Sequence, residues 1–151
     1  MKTYGIRISD SKNDVLSVKI GDILQEIKNG SVLKWCILFL DGTPNKGEGL
    51  FVNDYKRKIN ELENGFQLDY DDLLLVSEKF SQIFEIIILG SNSKNKPHHY
   101  RNDQEMYRSC DIVIELIDCS FWQVFSKDHE LTKRLREKFN EIEFLEPNFQ
   151  K

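Results

Sequence analysis

The stretch from Cys110 to Asn140, CDIVIELIDCSFWQVFSKDHELTKRLREKFN, constrains the fold more than any other part of the chain. Asp111–Ile117 alternates only loosely, with a single Glu115 among the apolar residues that follow Asp111, and Phe121–Phe125 pairs with it across a tight turn at Asp118–Ser120. A charged amphipathic helix follows, with Ser126 as its cap. Asp128 and Glu130 stand near its start and Lys133, Arg134, Arg136 and Lys138 further along, the order that suits the helix dipole, while Leu131, Leu135 and Phe139 face the core. Two antiparallel strands and a helix joined this closely require helices laid on an antiparallel sheet. The turn then presents Asp118, Phe121 and Trp122 together at one edge.

The rest of the chain supplies further elements of the same kind. Tyr4–Ile8 alternates as a first strand, a polar turn follows at Asp10–Asp14, and Val15–Ile20 reads as a short strand or the lead-in to a helix. Ile20, Ile23, Leu24 and Ile27 have helical spacing and place a short helix near Asp22–Lys28, closed by Asn29-Gly30. Leu33–Leu40 is a nearly continuous apolar run bounded by Gly30 and Asp41-Gly42, hence a central strand carrying Trp35 and Cys36 in the core. Val52, Tyr55, Ile59 and Leu62 form one face of a second helix ending at Asn64-Gly65. Asp69 caps a third, with Asp72 at its third position, Leu68 stapled on Leu73, and a buried stripe of Leu73, Val76, Phe80 and Ile83. Phe84–Leu89 is a second central strand, Ser91–Asp103 one long polar loop, and the tail Glu141–Lys151 packs back onto the domain. The expectation is a single domain over residues 1–151, α+β, with a mostly antiparallel sheet of about five strands and about four helices mainly on one face. Strand order does not follow from these patterns.

Composition narrows the function. The chain has 151 residues, 40% of them hydrophobic and 30% charged, enough for a real core. Its apolar runs are too short to cross a bilayer, and MKTYGIRISD lacks the apolar core of a signal peptide, so cytoplasmic residence is expected. Three irregularly spaced cysteines, Cys36, Cys110 and Cys119, suit reduced thiols. A formal net charge of −4 argues against nucleic acid as the main partner and suits a basic protein.

Residues with chemical potential are scattered. His98, His99, Cys110 and Cys119 lack the paired spacing of a metal site, and DGTPNKGEG lacks the phosphate-loop pattern, so no metal or cofactor is expected. A thiol–imidazole pair of Cys119 with His99 or His129 would need to meet in space. Carboxylates for acid–base work are available at Asp41, Asp69, Asp71, Asp72 and Asp118. Adjacent strand residues point to opposite faces, so one of Phe121 and Trp122 faces outward. With Asp118 and the acidic first turn of the third helix (Asp69, Asp71, Asp72), these aromatics make a candidate surface for a protein partner.

The succession LKWCILFLDG, FQLDYDDLLLVSEKFSQI, FEIIILG and DIVIELIDCSFWQVFSKDHELTKRLREKF, including the D-x-S-x-W segment Asp118–Trp122, resembles the small bacterial immunity proteins that neutralise secreted or contact-delivered toxins. The resemblance spans Gly21 to Phe144, about four-fifths of the chain, and is one of layout. It implies an α+β fold, no catalytic activity, and an acidic surface that covers a toxin. Such families diverge most where they bind, so no residue role carries over. Two other readings stand beside it: a small hydrolase or nuclease using the His98–Arg101 loop with Asp111 or Asp118, and an interaction or oligomerisation module that self-associates through Phe121–Phe125.

Overall fold

The computed structural model describes residues 2–92, 94 and 96–146. One seven-stranded, wholly antiparallel sheet runs through it in the order β5-β4-β6-β7-β8-β1-β9. In chain order its strands are β1 (Tyr4–Ile8), β4 (Lys34–Pro44), β5 (Phe66–Leu68), β6 (Phe80–Ser91), β7 (Ile112–Ile117), β8 (Phe121–Ser126) and β9 (Ile142–Leu145). A separate two-stranded hairpin pairs β2 (Ser11–Lys12) with β3 (Val15–Leu16). The five helices are α1 (Ile20–Leu24), α2 (Gly49–Glu61), α3 (Tyr70–Ser77), α4 (Asp103–Ser109) and α5 (His129–Lys138).

Side-chain alternation divides the sheet into two faces. The helix-rich face carries Ile6, Ile8, Trp35, Ile37, Leu40, Ile86, Ile88, Ile114, Trp122 and Val124, packed against apolar residues of α1, α2, α3 and α5. The opposite face carries a smaller cluster of Cys36, Leu38, Leu89, Val113 and Phe125, and among the described helices α4 alone packs on it, through Met106 and Tyr107, with Tyr100 of the preceding segment beside it. The α+β class and the antiparallel sheet are as expected, with most helices on one face. The counts differ: seven strands in the main sheet rather than five, and five helices rather than four.

Each difference has a local cause. Phe80 and Ile83 do not continue the stripe of α3; that helix ends at Ser77, Glu78 is its C-cap, and Phe80 already opens β6. Helical spacing there was an accident of a strand that begins with apolar residues. Helix α4 starts at Asp103, the last residue of the expected loop, and fills the stretch to Ser109 for which no element was expected; Asn102 caps it by accepting the Glu105 amide at 2.9 Å. Asp128, not Ser126, caps α5, because the Ser126 hydroxyl instead accepts the Asp128 amide. Helix α1 starts two residues early, with the Lys19 amide donating to the Asp22 carboxylate at 2.8 Å. The tail returns as β9 against β1, and its residues 147–151 lie outside the described ones.

Edge control explains the borders of the sheet. β5 covers β4 only from Trp35 to Ile37. Beyond it, the Asn60 amide on α2 both accepts from Leu40 N–H and donates to Leu40 C=O, and Lys56 donates to the Gly42 carbonyl and pairs with Asp41 at 3.0 Å. Side chains of α2 thus replace the missing ladder rungs, which removes an edge that could pair with another chain. β8 is interior, between β7 and β1, so Phe121–Phe125 offers no free edge for self-association.

Candidate functional site

On the sparsely covered face, α4 and the segment before it protect one end only. Tyr107 of α4 lies on Phe125 with ring centroids 4.0 Å apart, and the Gln67 amide ties the segment down at the Pro97 carbonyl. The thiols beneath are inert: burial pushes Cys36 up to about 12 and Cys110 also upward. Past this cover the other end of the face is open. Phe39, Ile87, Ile117 and Phe121 lie there, half-buried or exposed, with Asp41, Glu85, Arg7 and Glu143 among and around them.

Register explains the set. A bulge places both Leu38 and Phe39 against Ile87, so Phe39 turns to this face instead of alternating away, and it remains 37% exposed. Past the bulge Asp41 stands opposite Glu85 on the neighbouring strand, a like-charge cross-strand pair. Asp118 closes the rim. Asp118 and Cys119 both take left-handed backbone, φ 48° and 59°, and the Ser120 amide donates to the Ile117 carbonyl across them, which makes a tight hairpin turn. Burial and then the negative field of Asp118, Asp41 and Glu85 push the Cys119 thiol upward, so it stays protonated at neutral pH and is a poor nucleophile.

A polar chain crosses the middle of this face. The Tyr107 hydroxyl donates to Glu115 at 2.8 Å, the Gln123 amide donates to the same oxygen at 3.5 Å, Arg7 donates to the Gln123 carbonyl oxygen at 2.9 Å, and Arg7 meets Glu143 at 3.6 Å. The Arg7 guanidinium also lies 4.3 Å over the Phe121 ring. Glu115 is 6% exposed, and burial raises its carboxyl above the usual range; burial and the adjoining Glu115 carboxylate likewise raise Tyr107. Arg7 Nε is buried without a hydrogen-bond partner among the described residues, an uncompensated donor within this chain of contacts.

The residues singled out from the sequence fall in three places. Phe121 is on the open face and Asp118 at its rim. Trp122 points the other way and is 1% exposed, its indole N–H donating to the Val18 carbonyl at 2.9 Å in the main core. Asp69, Asp71 and Asp72 lie on the helix-rich side. Asp69 is occupied as N-cap, accepting the Asp72 amide at 2.8 Å, and Asp72 faces Tyr55 of α2. Leu68, beside that cap, is level with Trp35, whereas Asp41 is six residues further along β4. At about 3.3 Å per residue the two acidic groups are about 20 Å apart along the strand, so they do not form one surface.

The alternative catalytic set does not assemble around Asp118. His98 stacks on Tyr100 at 4.2 Å, Arg101 reaches Glu105, and Asp111 accepts the Asn92 amide at 2.7 Å, all at one end of β7; Asp118 follows its other end, about 20 Å away. Among the described residues no three His, Cys, Asp or Glu side chains gather as a metal site. Phe39, Ile87, Ile117, Glu85 and Arg7 were missed from the sequence; only Glu115, the single charge in an apolar strand, signalled a second face. Comparison with known proteins found no matching family model, no matching curated protein and no matching solved structure.

Proposed function

We propose that this chain is a non-catalytic, immunity-type protein that acts in the cytoplasm by binding and neutralising a basic toxin domain through the open end of its sparsely covered sheet face. The supporting observation is the composition of that face: Phe39, Ile87, Ile117 and Phe121 exposed in part beside Asp41, Glu85, Asp118 and Glu143. Aromatic anchors inside a charged rim give affinity from apolar burial and orientation from charge. The rigid sheet presents them without an ordering cost, which favours tight binding.

The test is capture of the tagged protein in its own host at moderate salt, followed by growth protection assays with the co-purified partner. A stoichiometric basic partner is expected, and its toxicity should be blocked by the wild type. Phe121→Ala combined with Glu85→Lys should abolish protection while leaving the fold intact. Asp71→Asn with Asp72→Asn should protect normally. Protection lost with the α3 pair and retained with the Phe121 and Glu85 pair would place binding on the other side of the molecule and overturn this reading.

A further inference from the structure

Ladder register arranges the open end of the sparsely covered face as two rows that cross the strands. One row runs Phe39, Ile87, Glu115, Gln123, Arg7, Glu143, each residue directly opposite the next on the neighbouring strand. The other runs Asp41, Glu85, Ile117, Phe121. Asp41 pairs with Glu85 and Ile117 with Phe121, and Ile117 stands level with Glu85 one step past the Ile86–Leu116 pair. The apolar side chains therefore change rows halfway, from Phe39 and Ile87 in the first to Ile117 and Phe121 in the second. They form a diagonal band over β4, β6, β7 and β8, and each of them is half-buried or exposed.

Distances along the band select the element that fits it. With strands about 4.8 Å apart and about 3.4 Å per residue along each, the groups after Phe39 stand about 4.4, 11.6 and 16 Å down the diagonal. Helix positions i, i+3, i+7 and i+10 rise by about 4.5, 10.5 and 15 Å, so one apolar stripe of a helix meets every group to within about 1 Å. A strand on the same line repeats its facing side chains about every 6.8 Å and misses each by about 2 Å. This face already accepts one helix, since α4 lies over the next row, Leu89, Val113 and Phe125. That row is about 10 Å from the middle of the band, the separation at which two helices pack side by side.

The surrounding charges give the band two unlike flanks. On the flank away from α4, Asp41, Glu85 and Asp118 gather closely enough that all three act on the Cys119 thiol. Lys56 pairs with Asp41 at 3.0 Å, which leaves Glu85 and Asp118 without an ion pair among the described residues. On the flank facing α4 the charges are committed, Glu115 to Tyr107 and Gln123, and Arg7 to Gln123, Glu143 and the Phe121 ring. A cation is thus favoured along the outer flank and disfavoured beside Arg7 at the Phe121 end.

We propose that the partner reaches this face with an amphipathic α-helix of about three turns, an inference that rests on the reading of the face as a toxin contact. The helix lies across the strands beside α4, its apolar stripe on Phe39, Ile87, Ile117 and Phe121 and its lysines or arginines on the outer flank at Glu85 and Asp118. The probe is a lactam-stapled peptide with leucine at i, i+3, i+7 and i+10 and lysine along one flank, titrated into isotope-labelled full-length protein. A saturable one-to-one shift of the Phe39, Ile87, Ile117 and Phe121 amides is expected, with the Trp35 indole, tied to the Gly30 carbonyl in the main core, unmoved. An unstapled copy with a mid-sequence proline keeps every contact residue but no helix, and should bind at least about tenfold more weakly. Glu85→Lys should weaken the lysine-flanked helix about tenfold and strengthen a glutamate-flanked copy, whereas Ile117→Ser should weaken both. No saturable shift with the stapled helix, equal binding by the proline copy, or equal change of both flanked helices in Glu85→Lys would overturn the proposal. A captured toxic partner blocked through Phe121 and Glu85, alongside no helix binding, overturns the helix alone. Helix binding with no toxic partner captured leaves the helix contact standing and overturns the neutraliser.

Discussion

Replacing Trp122 by alanine separates a core role from a contact role. The indole is fully enclosed, packs with Leu116 and Val124 in the main cluster, and donates to the Val18 carbonyl. Truncating a buried Trp to Ala costs about 3–5 kcal/mol through lost transfer energy and residual cavity. The unpartnered Val18 carbonyl adds about 1 kcal/mol. The sum, about 4–6 kcal/mol, is comparable with the whole stability of many domains. With a urea slope of about 2 kcal/mol per molar, the midpoint should fall by about 2–3 M, read by far-ultraviolet circular dichroism at 25 °C. Trp122→Phe keeps most of the ring and loses the donor, so its cost should be about 2 kcal/mol. A loss below about 1 kcal/mol in Trp122→Ala would refute the assignment of this indole to the core. Full stability in Trp122→Phe combined with loss of partner binding would mark it as a contact.

Three further outcomes follow from the geometry. Burial raises the Glu115 carboxyl, so the folded state holds its proton more tightly than the unfolded chain; the stability this contributes is complete below the ordinary glutamate range and is lost as pH rises through the elevated folded value. Glu115→Gln, always neutral and still able to accept from Tyr107, should therefore gain stability relative to wild type as pH goes from about 4 to 7 in denaturation series; a constant difference across that range would contradict the burial argument. Gly65→Ala should cost about 2–4 kcal/mol by chemical denaturation, since φ is +88° and the new methyl would meet Cys36 Sγ and Leu38 Cδ2. Glu85→Gln should leave stability within about 0.5 kcal/mol of wild type, because Lys56 already pairs with Asp41 at 3.0 Å, and should weaken binding of the proposed partner, as seen by thermal unfolding and calorimetric titration together.

What could be read from the sequence was whatever depends on short-range pattern. The hairpin Ile112–Ser126, the central strands around Trp35 and Ile88, the Asp69 cap and the amphipathic α5 all follow from spacing and capping chemistry within about fifteen residues. What escaped depends on partners far along the chain. β5 is three residues long and exists because Trp35–Ile37 offers it a ladder. β9 forms only where β1 receives it, 132 residues away at the Ser9–Glu141 contact. The exchange of Trp122 for Phe121 as the outward aromatic has the same origin: period two fixes that they differ in facing, but only the position of β8 between β7 and β1 decides which side the helices cover. The acidic groups of α3 and of the β7–β8 turn looked like one surface because sequence carries no measure of the length of β4 between them.

The open end of the sheet is itself a consequence of element lengths. α4 has seven residues and is therefore about 10 Å long, whereas β7 and β8, two of the strands it faces, have six residues each and span about 20 Å. A helix of that size shields Val113, Leu89 and Phe125 and leaves the remainder of its face without a layer. An uncovered sheet end can be made harmless by alternating in small polar residues, as antiparallel sheets commonly do on their wet side. Here it holds Phe39, Ile87, Ile117 and Phe121 instead, next to the opposed carboxylates of Asp41 and Glu85. The exposed apolar area works against the stability of the free protein, while Lys56, 3.0 Å from Asp41, eases the like-charge proximity. On the proposed function, a partner that buries the aromatics and brings a cation to Glu85 would remove the apolar cost and add a charge contact, so the residues that make this face unfavourable in isolation are the ones that would favour a basic, apolar-tipped surface.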